Sequence, residues 1–219
     1  MKKSVYSLVL SDDVVKAVDE MAYAAGVSRS AFINGVLADA VSYVTPEKRM
    51  SDIFGEIAGL LSIGTFRVQT QPSDAMLSIR SAMQYKYKPV IRYSLELFRD
   101  FDRTIGQLRV SFRTQSQSLV SDFESFLGVW IGLEKQYMLK YFPEGISYTI
   151  EAGKFTRTLC LPPDKKNITN DEAAQAISEY IKMFDDVLKL YFSRIGEPDA
   201  AAAAAHRYRE YAARGVTVI

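Results

Sequence analysis

The chain has 219 residues, of which 48% are hydrophobic and 24% are charged, and these values exclude wholesale disorder. Twenty-seven basic and 26 acidic residues leave a net charge of +1, so the overall charge indicates no class of partner. The single cysteine, Cys160, excludes an internal disulfide bond, and the single histidine, His206, excludes a metal site built from histidines. No apolar run approaches the ~20 residues of a membrane helix. Serines interrupt the apolar stretch at the start of the chain and two aspartates follow it directly, unlike a secretory signal. We therefore expect a cytoplasmic protein without a membrane partner.

Residues 4–10 have the composition of a β-strand. The segment is β-branched or aromatic at several positions and contains neither glycine nor proline. Because side chains alternate along a strand, the segment has two different sides. The more apolar side carries Tyr6, Leu8 and Leu10, and the other side carries Val5, Ser7 and Val9.

Two helices are predicted after this strand. Ser11 is suited to cap the first helix, because two aspartates follow it where the helix dipole favours carboxylates. Gly26 is suited to end that helix, and Ser28 or Ser30 to begin the second. Apolar spacing predicts inward sides made of Val14, Ala17, Val18, Met21 and Ala22 in the first helix, and of Phe32 or Ile33, Val36, Leu37, Ala40, Val41 and Val44 in the second.

One strand and two short helices cannot bury a core within one chain. A single strand leaves both edges unpaired, and 45 residues enclose little apolar volume. Pairing the strand with its copy in a second chain removes both problems. The order strand, helix, glycine turn, helix resembles the ribbon-helix-helix family of DNA-binding dimers (the MetJ/Arc/CopG type). The resemblance rests on residues 10–13 (Leu-Ser-Asp-Asp) and 26–33 (Gly-Val-Ser-Arg-Ser-Ala-Phe-Ile), and it covers about a fifth of the chain.

This resemblance implies a homodimer that binds double-stranded DNA. In that family two strands form an antiparallel ribbon in the major groove, and the N-terminus of the second helix faces a phosphate. Carried over by position, the outer face of the ribbon is Val5, Ser7 and Val9, the arm is Lys2 and Lys3, and the phosphate anchor is Ser28, Arg29 and Ser30. The resemblance implies a sequence-specific transcriptional regulator, or a plasmid or mobile-element maintenance factor, from a bacterial or phage setting.

Other functions remain open at this point. Residues 1–45 carry four basic and five acidic residues, whereas phosphate attraction usually dominates DNA affinity. Two valines on the outer face of the ribbon also offer base edges little hydrogen bonding. The alternative is a structural or interaction protein that uses the ribbon only for dimerisation and functions through its C-terminal part. A third possibility is an antitoxin whose C-terminal part wraps a toxin.

The sequence after residue 45 predicts an α+β fold, and it contains no motif typical of an enzyme. Thr45 precedes Pro46 and marks the end of a first domain at residues 1–45. We expect a helix and connector at 46–72, an α+β domain at 73–196, and an alanine-rich terminal helix with a strand-like tail at 197–219. The chain has no glycine-rich phosphate loop, paired metal-ligand motif or nucleophile elbow, so we expect no enzymatic activity, no cofactor and no metal.

Two segments of the α+β domain share the order strand, strand, helix. Residues 91–96 and 146–151 are identical or similar at five of six positions. Each is followed by a turn with glycine, by a second strand (108–113 and 155–159) and by a long helix (118–141 and 169–193). Duplication and chance similarity between amphipathic hairpins are both open. Either origin predicts an antiparallel sheet of about four strands packed by helices.

A basic surface is predicted on the first of these hairpins. Residues 77–113 carry eight basic and three acidic residues. With Ile91, Tyr93, Leu95, Leu108, Val110 and Phe112 facing inward, Arg92, Arg109 and Arg113 share the outer face. Such a face could bind phosphates or an acidic partner, or it could be a solvated face whose charges protect the sheet edge.

Overall fold

The chain forms two compact units in a computed structural model, a first unit of residues 1–49 and a second of residues 50–219. We call them the N-terminal unit and the C-terminal unit. The structure describes residues 4–70, 75–85, 89–112, 114, 116–151, 153–165, 167–214 and 219. Among these residues, no helix combines the length and the apolar character needed to cross a membrane.

The N-terminal unit contains the two expected helices, α1 (Asp12–Ala24) and α2 (Arg29–Ala40). Gly26 has a φ of +66°, a conformation that glycine adopts without strain. The N–H of Val27 then donates to the carbonyl of Ala22 at 3.0 Å, which closes the last turn of α1. Gly26 therefore ends α1 as the sequence predicts.

Helix α2 begins after Ser28. The Oγ of Ser28 accepts a hydrogen bond from the N–H of Ala31 at 3.2 Å, so Ser28 is its N-cap residue. Of the two serines that the sequence allows, Ser30 lies inside the first turn. Ser11 is the N-cap residue of α1, but its side chain makes no capping hydrogen bond.

The C-terminal unit combines helices with one sheet, which confirms the α+β class. A third helix, α3 (Pro46–Ser62), crosses the division between the units. It is followed by β1 (Phe66–Thr70), β2 (Met76–Ala82), β3 (Val90–Leu97), β4 (Thr104–Phe112), α4 (Gln117–Met138), β5 (Tyr148–Glu151), β6 (Lys154–Cys160), α5 (Asn170–Ser193) and α6 (Ala200–Ala213). All strand pairs are antiparallel, in the order β1-β2-β3-β4-β6-β5.

The sheet has six strands, so the expectation of about four is wrong. The four predicted strands correspond to β3, β4, β5 and β6. The predicted succession of two strands and a helix occurs twice, as β3, β4, α4 and as β5, β6, α5. The additional strands, β1 and β2, extend the sheet beyond β3. Strand β1 lies in the segment that the sequence assigns to a connector. The strand-like tail falls outside the described residues except for Ile219, which is buried.

One face of the sheet is apolar, and helices α4 and α5 pack against it. The inward residues predicted for β3 and β4 are all buried, namely Ile91, Tyr93, Leu95, Leu108, Val110 and Phe112. The ring centroid of Phe112 lies 4.7 Å from that of Phe123 in α4, and that of Tyr93 lies 6.2 Å from Phe184 in α5. Helix α6 packs against α4 through Tyr208, whose ring lies 5.2 Å from Trp130.

A glycine is required where β4 passes close to β3. A Cβ atom at Gly106 would lie 2.2 Å from the carbonyl oxygen of Glu96, a backbone atom that cannot move aside without moving β3. The pairing of β4 with β6 also shifts register between Thr104 and Gly106. The two strands can therefore approach this closely only because glycine has no side chain at position 106.

We expect Gly106→Ala to lower the free energy of unfolding by about 1–3 kcal/mol, because the methyl group forces the strands apart. Urea denaturation measures this loss. Gly128→Ala in α4 is the control, because nothing lies within 4 Å of an added Cβ there. Alanine favours the helix at that position, so we expect stability to rise by up to about 1 kcal/mol. Equal stabilities of the two variants would contradict the prediction.

Candidate nucleic-acid interface

Most of the exposed large apolar side chains among the described residues lie in the N-terminal unit. Nineteen large apolar side chains among the described residues are exposed, and fourteen of them belong to residues 5–44. On the predicted inward sides of α1 and α2 only Ala22 is fully buried, and Ala38, outside those sides, is the other buried residue of the two helices. A single chain therefore leaves these sides largely exposed, in agreement with the expectation that a unit of this size cannot enclose a core by itself.

Residues 4–10 form no strand within the chain. No backbone hydrogen bond joins them to any described residue, and Val5 is 99% exposed. Ser7 and Val9 are exposed as well, so the whole predicted outer face is accessible. On the more apolar side, Leu8 is still 58% exposed. A strand needs a hydrogen-bonded neighbour, so the strand stays a prediction whose partner is a second chain.

The predicted phosphate anchor lies at the start of α2, but its arginine has a partner. Nε and Nη2 of Arg29 bind the two carboxylate oxygens of Asp19 in α1, and this bidentate contact raises the pKa of Arg29. The Ser28 hydroxyl caps the helix, and Ser30 is exposed. A phosphate at this end of α2 therefore competes with Asp19 for the guanidinium. The arm residues Lys2 and Lys3 lie outside the described residues.

The sheet of the C-terminal unit has a polar face opposite α4 and α5, which we call the open face. Arg92 of β3 and Arg109 of β4 lie on it, as predicted from the alternation of these strands. Arg92 is half-buried and Arg109 is exposed. Arg113, the third member of the predicted basic surface, lies outside the described residues.

Three arginines on neighbouring strands form a row across this face. Arg67 of β1 is directly opposite Arg80 of β2, and Arg80 is directly opposite Arg92 of β3. Neighbouring strands lie about 4.8 Å apart, so three positive charges occupy two strand spacings. We call Arg67, Arg80 and Arg92 the basic row.

Two carboxylates on the open face, Glu96 of β3 and Glu151 of β5, have partners outside the basic row. Glu96 accepts a hydrogen bond of 2.5 Å from the side-chain amide of Gln107, and Glu151 lies 3.9 Å from Nζ of Lys154. For the side chains of the basic row, the described part of the chain supplies neither an ion pair nor a hydrogen bond. The basic row therefore carries its charge without an acidic partner among those residues.

Sequence reasoning missed Arg67 and Arg80 because it missed their strands. A signal was present, since apolar and polar residues alternate over 66–69 and again over 77–80. Both segments are short. Each becomes a strand only by pairing in the sheet, β1 with β2 and β2 with β3, and local periodicity does not reveal these pairings.

The C-terminal unit buries an ion pair beneath its helices. Nε of Arg157 in β6 lies 3.0 Å from Oε1 of Glu134 in α4, and both side chains are almost fully buried. Burial acts to lower the pKa of Arg157, but the Glu134 carboxylate and nearby tyrosines raise it above its ordinary value. Burial, followed by the Glu134 carboxylate, raises the pKa of Tyr148 and of Tyr208.

A second buried carboxylate, Asp185 of α5, has hydrogen-bonding partners on two strands. It accepts hydrogen bonds from the hydroxyls of Ser81 at 3.1 Å and Tyr93 at 2.9 Å. Its Oδ2 also lies 2.6 Å from Nζ of Lys189. Burial and this carboxylate raise the pKa of Tyr93. These contacts attach α5 to β2 and β3, and they explain why a charged residue is tolerated in the core.

The single cysteine and the single histidine lie on different elements, β6 and α6. Cys160 is half-buried at the end of β6, with Sγ 3.8 Å from the hydroxyl of Thr104. His206 is exposed on α6, 3.6 Å from Glu210. No group of three or more metal-binding side chains is assembled by the described ranges of the chain.

Comparison with protein-family models, with curated proteins and with solved structures finds no match to this chain. The arrangement of its residues is therefore the basis for any functional conclusion.

Proposed function

We propose that the protein is a homodimeric, sequence-specific DNA-binding protein of the ribbon-helix-helix type, acting as a transcriptional regulator or a mobile-element maintenance factor. One observation carries this proposal. Residues 4–10 are exposed and make no backbone hydrogen bond to a described residue, and they precede two helices whose apolar sides are exposed. A second copy would pair with the segment and cover the helices at the same time.

The dimer would then present one side of its ribbon to DNA. Val5, Ser7 and Val9 would face the major groove, where valine contacts the methyl group of thymine and serine hydrogen-bonds base edges. The N-terminus of α2 would direct its free N–H groups at a phosphate. Arg29 would reach the same phosphate once its contact with Asp19 is exchanged.

The experiment that tests this proposal is a titration of the full chain against duplex DNA at several salt concentrations. We expect the affinity to fall steeply with salt, because phosphate contacts release counterions. Arg29→Gln is expected to reduce the slope of log affinity against log salt by about two for a dimer, one unit per chain. Asp19→Asn is expected to raise the affinity by up to about fivefold per chain, because the Asp19 carboxylate no longer competes with the phosphate for the Arg29 guanidinium.

Asp39→Asn is the matched control, since it removes the same charge from the far end of α2, where Asp39 is exposed. We expect a smaller effect from this variant than from Asp19→Asn. Selection from a pool of random duplexes should enrich one sequence, as direct readout requires. The proposal is wrong if the full chain shows no salt-dependent binding or if selection enriches no sequence.

A second candidate function is a structural or interaction protein that dimerises through the same segment. The ion pair between Arg29 and Asp19 favours it, because the pair neutralises the basic residue nearest the expected phosphate. This candidate predicts dimers of the full chain, and it predicts that neither Arg29→Gln nor Asp19→Asn changes DNA affinity.

A further inference from the structure

The open face of the C-terminal unit carries an arrangement of charge that opposes folding. Arg67, Arg80 and Arg92 are directly opposite one another on three successive strands. Like charges in directly opposite positions destabilise a sheet. A bound anion over the row would offset this repulsion.

Protection of a sheet edge explains only one of the three arginines. Strand β1 is an outer strand, and a charged residue such as Arg67 discourages pairing with another chain. Strands β2 and β3 are interior strands with neighbours on both sides. Arg80 and Arg92 therefore have no edge to protect.

The side chains around the row indicate what kind of anion fits. Gln69, Ser78 and Ser94 are directly opposite one another in the adjacent row, which continues into Arg109. Ser78 is buried, so Gln69, Ser94 and Arg109 are the polar side chains of this row that an anion could reach. Arginine, serine and glutamine are residue types that contact the phosphates of nucleic acids. Over β1 to β4, the described outward positions carry no aromatic side chain, so the face offers neither a stacking platform for bases nor the aromatic centre of a protein interface.

We infer that the open face binds the phosphate backbone of a nucleic acid, with the basic row contacting successive phosphates. This surface is separate from the ribbon proposed above. The contacts that we propose are to phosphates, which are the same in every sequence, so this surface does not select a base sequence. Its role is to add affinity that depends on salt and not on sequence.

The test uses the full chain with Arg67→Gln, Arg80→Gln and Arg92→Gln combined. The matched control combines Lys135→Gln in α4, Lys140→Gln in the turn after α4 and Arg209→Gln in α6, which remove the same charge from exposed positions outside the sheet. Fluorescence anisotropy measures binding to a labelled random-sequence duplex and to a labelled single strand over roughly 50–200 mM salt. We expect the basic-row variant to lose about three units of salt slope per chain on at least one of the two probes, and the control to lose less than one.

The probes and the variants separate the possible results. A loss confined to the duplex or to the single strand supports the proposal and identifies the form that binds. Equal slopes for the basic-row variant and the control overturn it, and so does the absence of salt-dependent binding to both probes.

The folded state is checked by thermal melting. We expect the melting temperature of the basic-row variant to equal or exceed that of the parent, because the variant relieves like-charge repulsion. If the combined variant melts lower, Arg67→Gln alone carries the test, since Arg67 is exposed on an outer strand. A salt slope unchanged by that single substitution then overturns the proposal.

The same measurements in a Leu8→Asp background distinguish this proposal from the proposed function. Leu8→Asp disables the predicted ribbon and leaves the open face intact. Salt-dependent binding that survives Leu8→Asp and disappears with the basic-row substitutions supports the open face, whatever the outcome for the ribbon. Binding that disappears with Leu8→Asp and is insensitive to the basic row overturns the open face and leaves the ribbon standing.

Discussion

Replacing Arg157 with methionine is expected to lower the free energy of unfolding by about 3–5 kcal/mol, because Glu134 then remains buried without its cation. The two charged atoms lie 3.0 Å apart, and the side chains of Arg157 and Glu134 are 2% and 1% exposed. Glu134→Leu should cost a similar amount, since it leaves the guanidinium unpaired. The double variant removes both charges, so we expect it to be within about 1 kcal/mol of the parent or more stable. Urea denaturation of all four proteins measures these values.

An exposed ion pair supplies the control for this cycle. Arg103 and Glu144 lie 3.2 Å apart, but their side chains are 55% and 79% exposed. Arg103→Met should therefore change stability by less than about 1 kcal/mol, because solvent screens the pair. If the double variant is as unstable as either single variant, the loss of stability in the single variants is not caused by an unpaired buried charge.

Leu8→Asp is expected to convert the proposed dimer into a monomer and to abolish the proposed sequence-specific DNA binding. Leu8 is 58% exposed in one chain, so the substitution costs a single chain little. In the predicted ribbon the same position faces the partner's helices, and each dimer would bury two unpaired carboxylates. Sedimentation equilibrium measures the oligomeric state, and titration with the selected DNA sequence measures binding.

Two matched substitutions locate the effect. Val9→Asp places the same charge on the opposite side of the segment, where we expect the dimer to persist and DNA affinity to fall because the carboxylate faces the groove. Ile63→Asp alters an apolar residue of the C-terminal unit that is 88% exposed, and it should change neither property. Wild-type chain that sediments as a monomer, or Leu8→Asp chain that remains dimeric, would contradict the ribbon.

Secondary structure in this chain is predictable wherever its cause is local. Gly26 ends α1 because its positive φ suits glycine, and Ser28 starts α2 because its hydroxyl accepts from the N–H of Ala31. The alternation of β3 and β4 likewise identifies their inward sides. Strands β1 and β2 were not identified, because a short alternating segment becomes a strand only through its neighbour in the sheet.

The basic surface was predictable only in part, for the same physical reason. Arg92 and Arg109 belong to one hairpin, so alternation alone places them on a common face. Arg67 and Arg80 join that face only because β1 pairs with β2, and β2 with β3, in one particular register. A shift by one residue would turn these side chains towards the core.

By itself the sequence determined the α+β class, the two N-terminal helices with their ends, and the inward sides of the central hairpin. Each of these follows from interactions between residues a few positions apart. The alternation of β6 also places Arg157 on the same side as Phe155 and Leu159, but no pattern connects it to Glu134. Only the tertiary structure decided that pairing, the six-stranded order and the alignment of three arginines, because cross-strand and helix–strand neighbours are fixed by long-range packing.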